Sequence, residues 1–476
     1  MSSQAHNKPS KDDFDDDNRN VQTVYLSMVC FVAALGGFLF GFDTAVISGA
    51  IGYLKTQFQL NAIQEGWAVS SALIGCIVGA LTAGMISDRF GRKKILILSA
   101  LLFLISAIGS AVPSTIPLFI AARLVGGVGV GMASMLSPLY ISEISPPHLR
   151  GRLVALYQLA ITIGILVAYF SNALIQSLSV HALANLAEGP MRWIFVDEVW
   201  RGMFAAEVLP ATLFLLLLTV VPESPRWLSK QGKFKQAEKI LGQIVGQQQA
   251  TLQIAEIRST IEAEEGSLTQ LLKPGLRIAL LIGILLPWFS QVSGINVIIY
   301  YGPKIFEHAG LQISESLGGQ VIIGFINMLF TFVAIAVVDR FGRKPLLYIG
   351  VIGMVVALVS VGLVFTGGET SGTLLLSLFI LFIACFAFSL GPLCWIIISE
   401  IFPTRIRGRA MAIGTFTVWT SCTLVAQTFP WLLEYLGPAG SFWLYAVLVA
   451  PALPVTYWLV PETKNRSLEE IEKSWQ

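Results

Sequence analysis

The chain has 476 residues, 55% hydrophobic and 13% charged, with a formal net charge of +2. Soluble domains carry about 25% charged residues, so this composition cannot build a water-facing surface, and its near-neutral balance excludes a basic nucleic-acid footprint. The cysteines Cys30, Cys76, Cys385, Cys394 and Cys422 fall inside apolar segments and the histidines His6, His148, His181 and His308 lie scattered outside them, so neither a disulfide framework nor a metal site is expected.

Residues 1–23 open the chain as a polar tail containing Asp12, Asp13, Asp15, Asp16 and Asp17. The stretch lacks the basic start and short apolar core of a secretory signal and is expected to be a disordered cytoplasmic tail. A bilayer core takes about 20 apolar residues per helix. Twelve such runs follow, at 24–50, 68–86, 95–112, 117–141, 153–176, 202–221, 277–301, 320–338, 346–366, 375–399, 409–431 and 441–460. The predicted fold is an all-α membrane protein with twelve transmembrane helices. Residues 24–221 form an N-terminal six-helix half, 222–275 a helical linker, 276–460 a C-terminal six-helix half and 461–476 a tail.

The linker shows helix-like runs near 233–247 and 252–265 and is too short for a catalytic domain of ordinary size. Basic residues concentrate in the loops after the second, fourth, eighth and tenth runs, including Arg89, Arg92, Lys93, Arg150, Arg340, Arg343, Lys344 and Arg407. The positive-inside rule places those loops and both termini in the cytoplasm, and a plasma (cell inner) membrane is the expected host.

Three strings recur in the same order in both halves: DRFGRKK from 88 and DRFGRKP from 339, SEISPPHLRGR from 142 and SEIFPTRIRGR from 399, PESPRWL from 222 and PETKNRSL from 461. Their similar offsets and shared sidedness indicate a parallel duplication of a six-helix unit, an arrangement suited to alternating access. Together with GGFLFGFD at 36–43 and QVSGINVIIYY at 291–301, these strings resemble the sugar porter family of the major facilitator superfamily, over nearly the whole chain. The resemblance implies a membrane transporter of monosaccharides, with a hexose favoured, driven by proton symport and without a cofactor.

Asp43 stands in an otherwise uncharged run, where a carboxylate is costly unless paired, hydrated or neutralised. At 1.5 Å rise per residue, Asp43 lies ~15 Å and Arg123 ~9 Å from the outer face, so the two are expected to meet. A carboxylate paired in one state and hydrated or protonated in another would couple a proton to conformation; a fixed ion pair locking two helices is the alternative. In the family, an acid here accompanies symport, and uniporters tend to have an amide.

Gln158, Gln291, Asn296, Tyr300, Asn327, Trp395 and Trp419 place amides and aromatic rings inside spans. Uncharged donors and acceptors suit sugar hydroxyls, and aromatic faces suit the C–H surface of a pyranose. A helix break at Gly294 would bring Gln291 and Asn296 together. The resemblance implies that the first six of these contact substrate, while Ser290 and Val418 stand where many relatives have an amide. Asp88, Arg92, Glu143 and Arg150 in one half, with Asp339, Arg343, Glu400 and Arg407 in the other, sit where spans end at the basic face. They are expected to pair as a gate when the cytoplasmic side is shut.

GGVGVGMAS at 126–134 lies inside a span and follows no strand, so Gly127 and Gly131 read as a helix-packing face and not as a nucleotide loop. No Gly-x-x-x-x-Gly-Lys string occurs, so an ion or sugar gradient must supply the energy. A facilitative uniporter is the nearest alternative to a symporter. A sensor built on the same fold is a second, although only residues 461–476 follow the last run. No nucleophile, metal cluster or cofactor motif points to an enzyme.

Overall fold

The computed structural model describes residues 11–146, 149–181, 186–262, 276–367, 371–402 and 404–464, and every regular element among them is a helix. The first five spans are α1 (Lys11–Phe58), α2 (Ala62–Phe90), α3 (Arg92–Ala111), α4 (Ile116–Ile144) and α5 (Arg150–His181). A short turn, α6 (Pro190–Arg192), and a π-helical turn (Trp193–Asp197) lead into the sixth span, built from α7 (Val199–Ala205) and α8 (Val208–Val220). The linker folds as α9 (Pro225–Lys230), α10 (Phe234–Val245) and α11 (Gln247–Glu262). The second half comprises α12 (Leu276–Val292) with α13 (Ile295–His308), then α14 (Ile313–Phe341), α15 (Arg343–Thr366), α16 (Gly372–Phe388) with α17 (Leu390–Ile401), α18 (Thr404–Tyr435), and α19 (Gly437–Val449) with α20 (Ala452–Trp458).

Eleven of these spans are long and apolar enough to cross a bilayer. α18, with 32 residues, covers the same distance and makes the twelfth. Helices are the solution lipid imposes, because each backbone N–H and C=O must find a partner within the segment. The apolar residues left outside the core, such as Leu209 at 79% and Met85 at 71% exposure, are arranged as a lipid-facing surface requires.

Two boundaries differ from expectation. Residues 11–23, expected to be disordered, continue α1, since extending a formed helix adds one hydrogen bond per residue without a new nucleus; residues 1–10 lie outside the described residues. Helices also run past the apolar limits, to Phe58 in the first span and His308 in the seventh, which puts Lys55 and Lys304 on helix surfaces. The linker helices fall near the expected runs, with 263–275 outside the described residues, as are 465–476 of the tail.

The glycine string at 126–134 lies within α4. A Cβ on Gly127 would come within 1.8 Å of the Ala72 carbonyl oxygen, and one on Gly131 within 2.2 Å of that of Cys76. These glycines let α4 and α2 touch backbone to backbone. The two halves meet where α2 packs on α18 and α5 on α14.

Candidate functional site

Asp43 is fully buried in α1, and Arg123 of α4 reaches it: one guanidinium nitrogen donates to Asp43 Oδ1 at 2.6 Å and another to the Asp43 carbonyl oxygen at 3.1 Å. The ring of Phe204 lies 5.5 Å from the same guanidinium. Beside the pair stands Glu207, at the joint between α7 and α8, fully buried and with neither carboxylate oxygen hydrogen-bonded among the described residues. One guanidinium therefore serves two carboxylates in a low-dielectric site. It neutralises one, and the other is left to a proton, water or another cation. The sequence reading missed Glu207, although an acid inside the 202–221 run carried the same signal as Asp43.

At Gly294 the seventh span breaks, with φ +86° in the left-handed region that glycine tolerates best. The break brings the Asn296 amide to donate to Gln291 Oε1. Tyr300, one turn further on, lies with its hydroxyl 3.5 Å from Cys422 Sγ of α18. Trp419, on the same helix, packs its ring 5.2 Å from that of Phe40 in the opposite half. Gln158 on α5 and Trp395 on α17 are half-buried, and Asn327 on α14 is buried. Their side chains make no hydrogen bond among the described residues, and the structure gives no direct contact among these three. Gln320, not foreseen, steadies the broken span by donating to the Ile298 and Ile299 carbonyls at 2.8 and 3.2 Å.

At the basic face the duplicated strings build the same network twice. Arg92 clasps Glu143 through Nε and a terminal nitrogen, each at 3.0 Å, and reaches Asp88 at 2.7 Å. Ser224 Oγ donates to Glu143 at 2.5 Å. Glu223 accepts the backbone N–H groups of Arg92 and Lys93 at 2.9 and 3.1 Å. In the second half Arg343 holds Glu400 at 2.8 Å, Thr463 donates to Glu400 at 2.5 Å, and Glu462 accepts the N–H groups of Arg343 and Lys344 at 3.1 and 3.0 Å. Gly91 and Gly342, with φ +103° and +89°, turn the chain above Glu223 and Glu462, where a Cβ would come within 2.2 and 2.8 Å of the carboxylate.

Burial pushes the Glu462 carboxyl up, but the N–H groups of Lys464, Lys344 and Arg343, with the Arg343 charge, outweigh it and hold it below the usual carboxylate range. Each network ties helix ends within one half. Glu143 and Glu400 thus pair with arginines of their own half, tying helix ends together at the basic face. Arg150 is exposed and forms no ion pair among the described residues. The side chains of Asp339 and Arg407 lie outside the description.

Polar contacts between the halves lie toward the other face. Ser70 donates to Gln427 at 2.7 Å, Gln427 donates to the Ile63 carbonyl at 3.1 Å, and Tyr169 donates to the Ile299 carbonyl at 3.0 Å. Lys304 forms an ion pair with Glu65 there. None of these residues was singled out as a site from sequence; Glu65 and Lys304 fell just outside the apolar limits, at 68 and 301.

The profile of the family described as "Sugar (and other) transporter" matches residues 29–475. The arabinose-proton symporter of Bacillus subtilis (strain 168) is 44% identical, over 95% of this chain and 95% of its own length. The D-xylose-proton symporter of Escherichia coli (strain K12) is 41% identical, over 96% and 97%. The galactose-proton symporter of the same organism is 38% identical, over 94% and 93%. Among solved structures, the inward open conformation of the xylose transporter XylE from E. coli superposes with a TM-score of 0.80 at 38% identity, covering 95% of this chain and 100% of that one. The same symporter bound to 6-bromo-6-deoxy-D-glucose superposes at 0.77 and 40% identity, covering 96% and 100%.

Proposed function

The chain belongs to the sugar transporter family, and we propose that it carries a monosaccharide across the bilayer together with a proton, by alternating access of its two six-helix halves. The observation that carries the proposal is the buried trio Asp43, Arg123 and Glu207. Two carboxylates facing one guanidinium leave a place for one proton, and rearranging the pair changes how tightly that proton is held. Relatives named as symporters of protons with arabinose, xylose and galactose support the same reading. Because arabinose and xylose are pentoses, the expectation of a hexose widens to monosaccharides of either size.

The sugar sits among Gln158, Gln291, Asn296, Tyr300, Asn327, Trp395 and Trp419. Gln158 and Trp419 lie on opposite halves, so movement of one half against the other exposes the site to alternate sides. The basic face is cytoplasmic, with both termini on that side, in a plasma or cell inner membrane. The contacts Ser70–Gln427 and Tyr169–Ile299 then close the extracellular end, an inward-facing state. The Arg92 and Arg343 networks brace each half at the cytoplasmic end and set the balance of states.

Sugar-elicited alkalinisation of the medium tests the proposal. Cells expressing the protein and given a panel of pentoses and hexoses should take up protons with at least one sugar. Uptake of sugar with no proton movement would favour the uniporter.

A further inference from the structure

Glu65 opens the second span at the extracellular end. It is fully buried, an expensive position for a carboxylate. Two lysines answer it. Lys55, in the last turn of α1, lies 2.9 Å from Oε2, and Lys304, on α13 of the other half, pairs with Oε1. The seam around them is tight. A Cβ on Gly66 would come within 2.4 Å of the Gln427 carbonyl oxygen, and Gln427 is itself bonded to Ser70 and to the Ile63 carbonyl. Lys55 and Glu65 belong to the same half and are joined by the short turn between α1 and α2. The other acids nearby are Glu434 of α18, facing Lys55, and Glu307 of α13.

We propose that Glu65 is an extracellular latch that exchanges counter-ions: Lys304 holds the two halves shut, and Lys55 stays with the carboxylate when they part. The proposal rests on the alternating access argued above. Separation must break the Glu65–Lys304 pair, because its members ride on different halves. Removing one partner of a buried pair ordinarily leaves an uncompensated charge and a large penalty. Here Lys55 travels with Glu65 and keeps it neutralised, while Lys304 moves into water. The two lysines, although both ion-paired with one carboxylate, therefore act in opposite senses. Lys304 stabilises the closed extracellular end, and Lys55 stabilises the open one.

The test uses the full chain in lipid nanodiscs, with spin labels at M191C in the first half and S314C in the second, and reads their separation; the native cysteines among the described residues are buried. K304M should shift the distribution toward longer separations, changing the ratio of open to closed on the order of tenfold. K55M should shift it the other way by a similar factor. E65Q, which removes both pairs, should resemble K304M and serves if that variant folds poorly. An unchanged distribution in both K304M and E65Q, or shifts of the same sign in K304M and K55M, would overturn the latch. Opposite shifts would uphold it even if no sugar elicited alkalinisation, in which case the cargo assignment alone would fail.

Discussion

Asn296 donates to Gln291 although the two are five residues apart, a spacing that on an unbroken helix turns side chains roughly 140° away from each other. The contact exists because Gly294 takes φ +86° between them. Alanine at 294 would meet the Tyr445 ring at 3.1 Å in a backbone conformation disfavoured for any Cβ. Gly294→Ala should lower stability by about 1–2 kcal/mol, read as a drop in the melting midpoint in detergent, with a matching loss of sugar affinity. Full affinity in that variant would separate the amide pair from the sugar site.

The proposed sugar site makes a second prediction. Gln158→Ala, Asn296→Ala and Trp395→Ala should each weaken sugar binding by about 1–3 kcal/mol, since each removes a partner that water cannot replace in place. Calorimetry on purified protein measures the loss. Wild-type affinity in all three would put the site elsewhere.

The duplicated networks at the basic face are alike in bonding but unequal in burial. The Arg92 and Glu143 side chains are 4% and 3% exposed, against 11% and 23% for Arg343 and Glu400. Glu143→Gln should therefore cost about 3 kcal/mol of stability, and Glu400→Gln about 1 kcal/mol. Equal thermal shifts would mean that burial does not set their worth.

Acid should loosen the second network through Glu462. Its carboxyl is held below its ordinary value of 4.5 by the N–H groups and the arginine that outweigh its burial, so the stability it adds is fully present above that value. That stability fades as pH falls through the lowered one. Glu462→Gln should lose the contribution at neutral pH and show a flatter decline below pH 4.5, followed by thermal melts across pH. An unaltered acid profile would assign the decline to other carboxylates.

Much of this was legible in the sequence because lipid makes patterns loud. Apolar runs and repeated strings marked the spans and the two halves, and the cost of a charge among apolar residues marked Asp43 and Arg123. Glu207 obeyed the same rule but lay near the end of a run, where an acid is easily read as a terminus. The pairing of Glu65 with Lys304 was not legible, for a different reason. Both residues lie beyond the apolar limits, on helices that continue because their backbone bonds do, and only the packing of two halves brings them into contact. The strings containing Glu223 and Glu462 were legible as a repeat, but that their acids cap the turns at Gly91 and Gly342 depends on backbone angles that no string displays.

Asp43 carries the central claim, and vesicle uptake tests it most directly. Purified protein in proteoliposomes, acidic outside, should accumulate a labelled monosaccharide above the external concentration and lose that accumulation when the pH gradient is collapsed. Asp43→Asn should equilibrate or exchange the sugar without concentrating it. Concentrative, pH-driven uptake undiminished in Asp43→Asn would contradict the account.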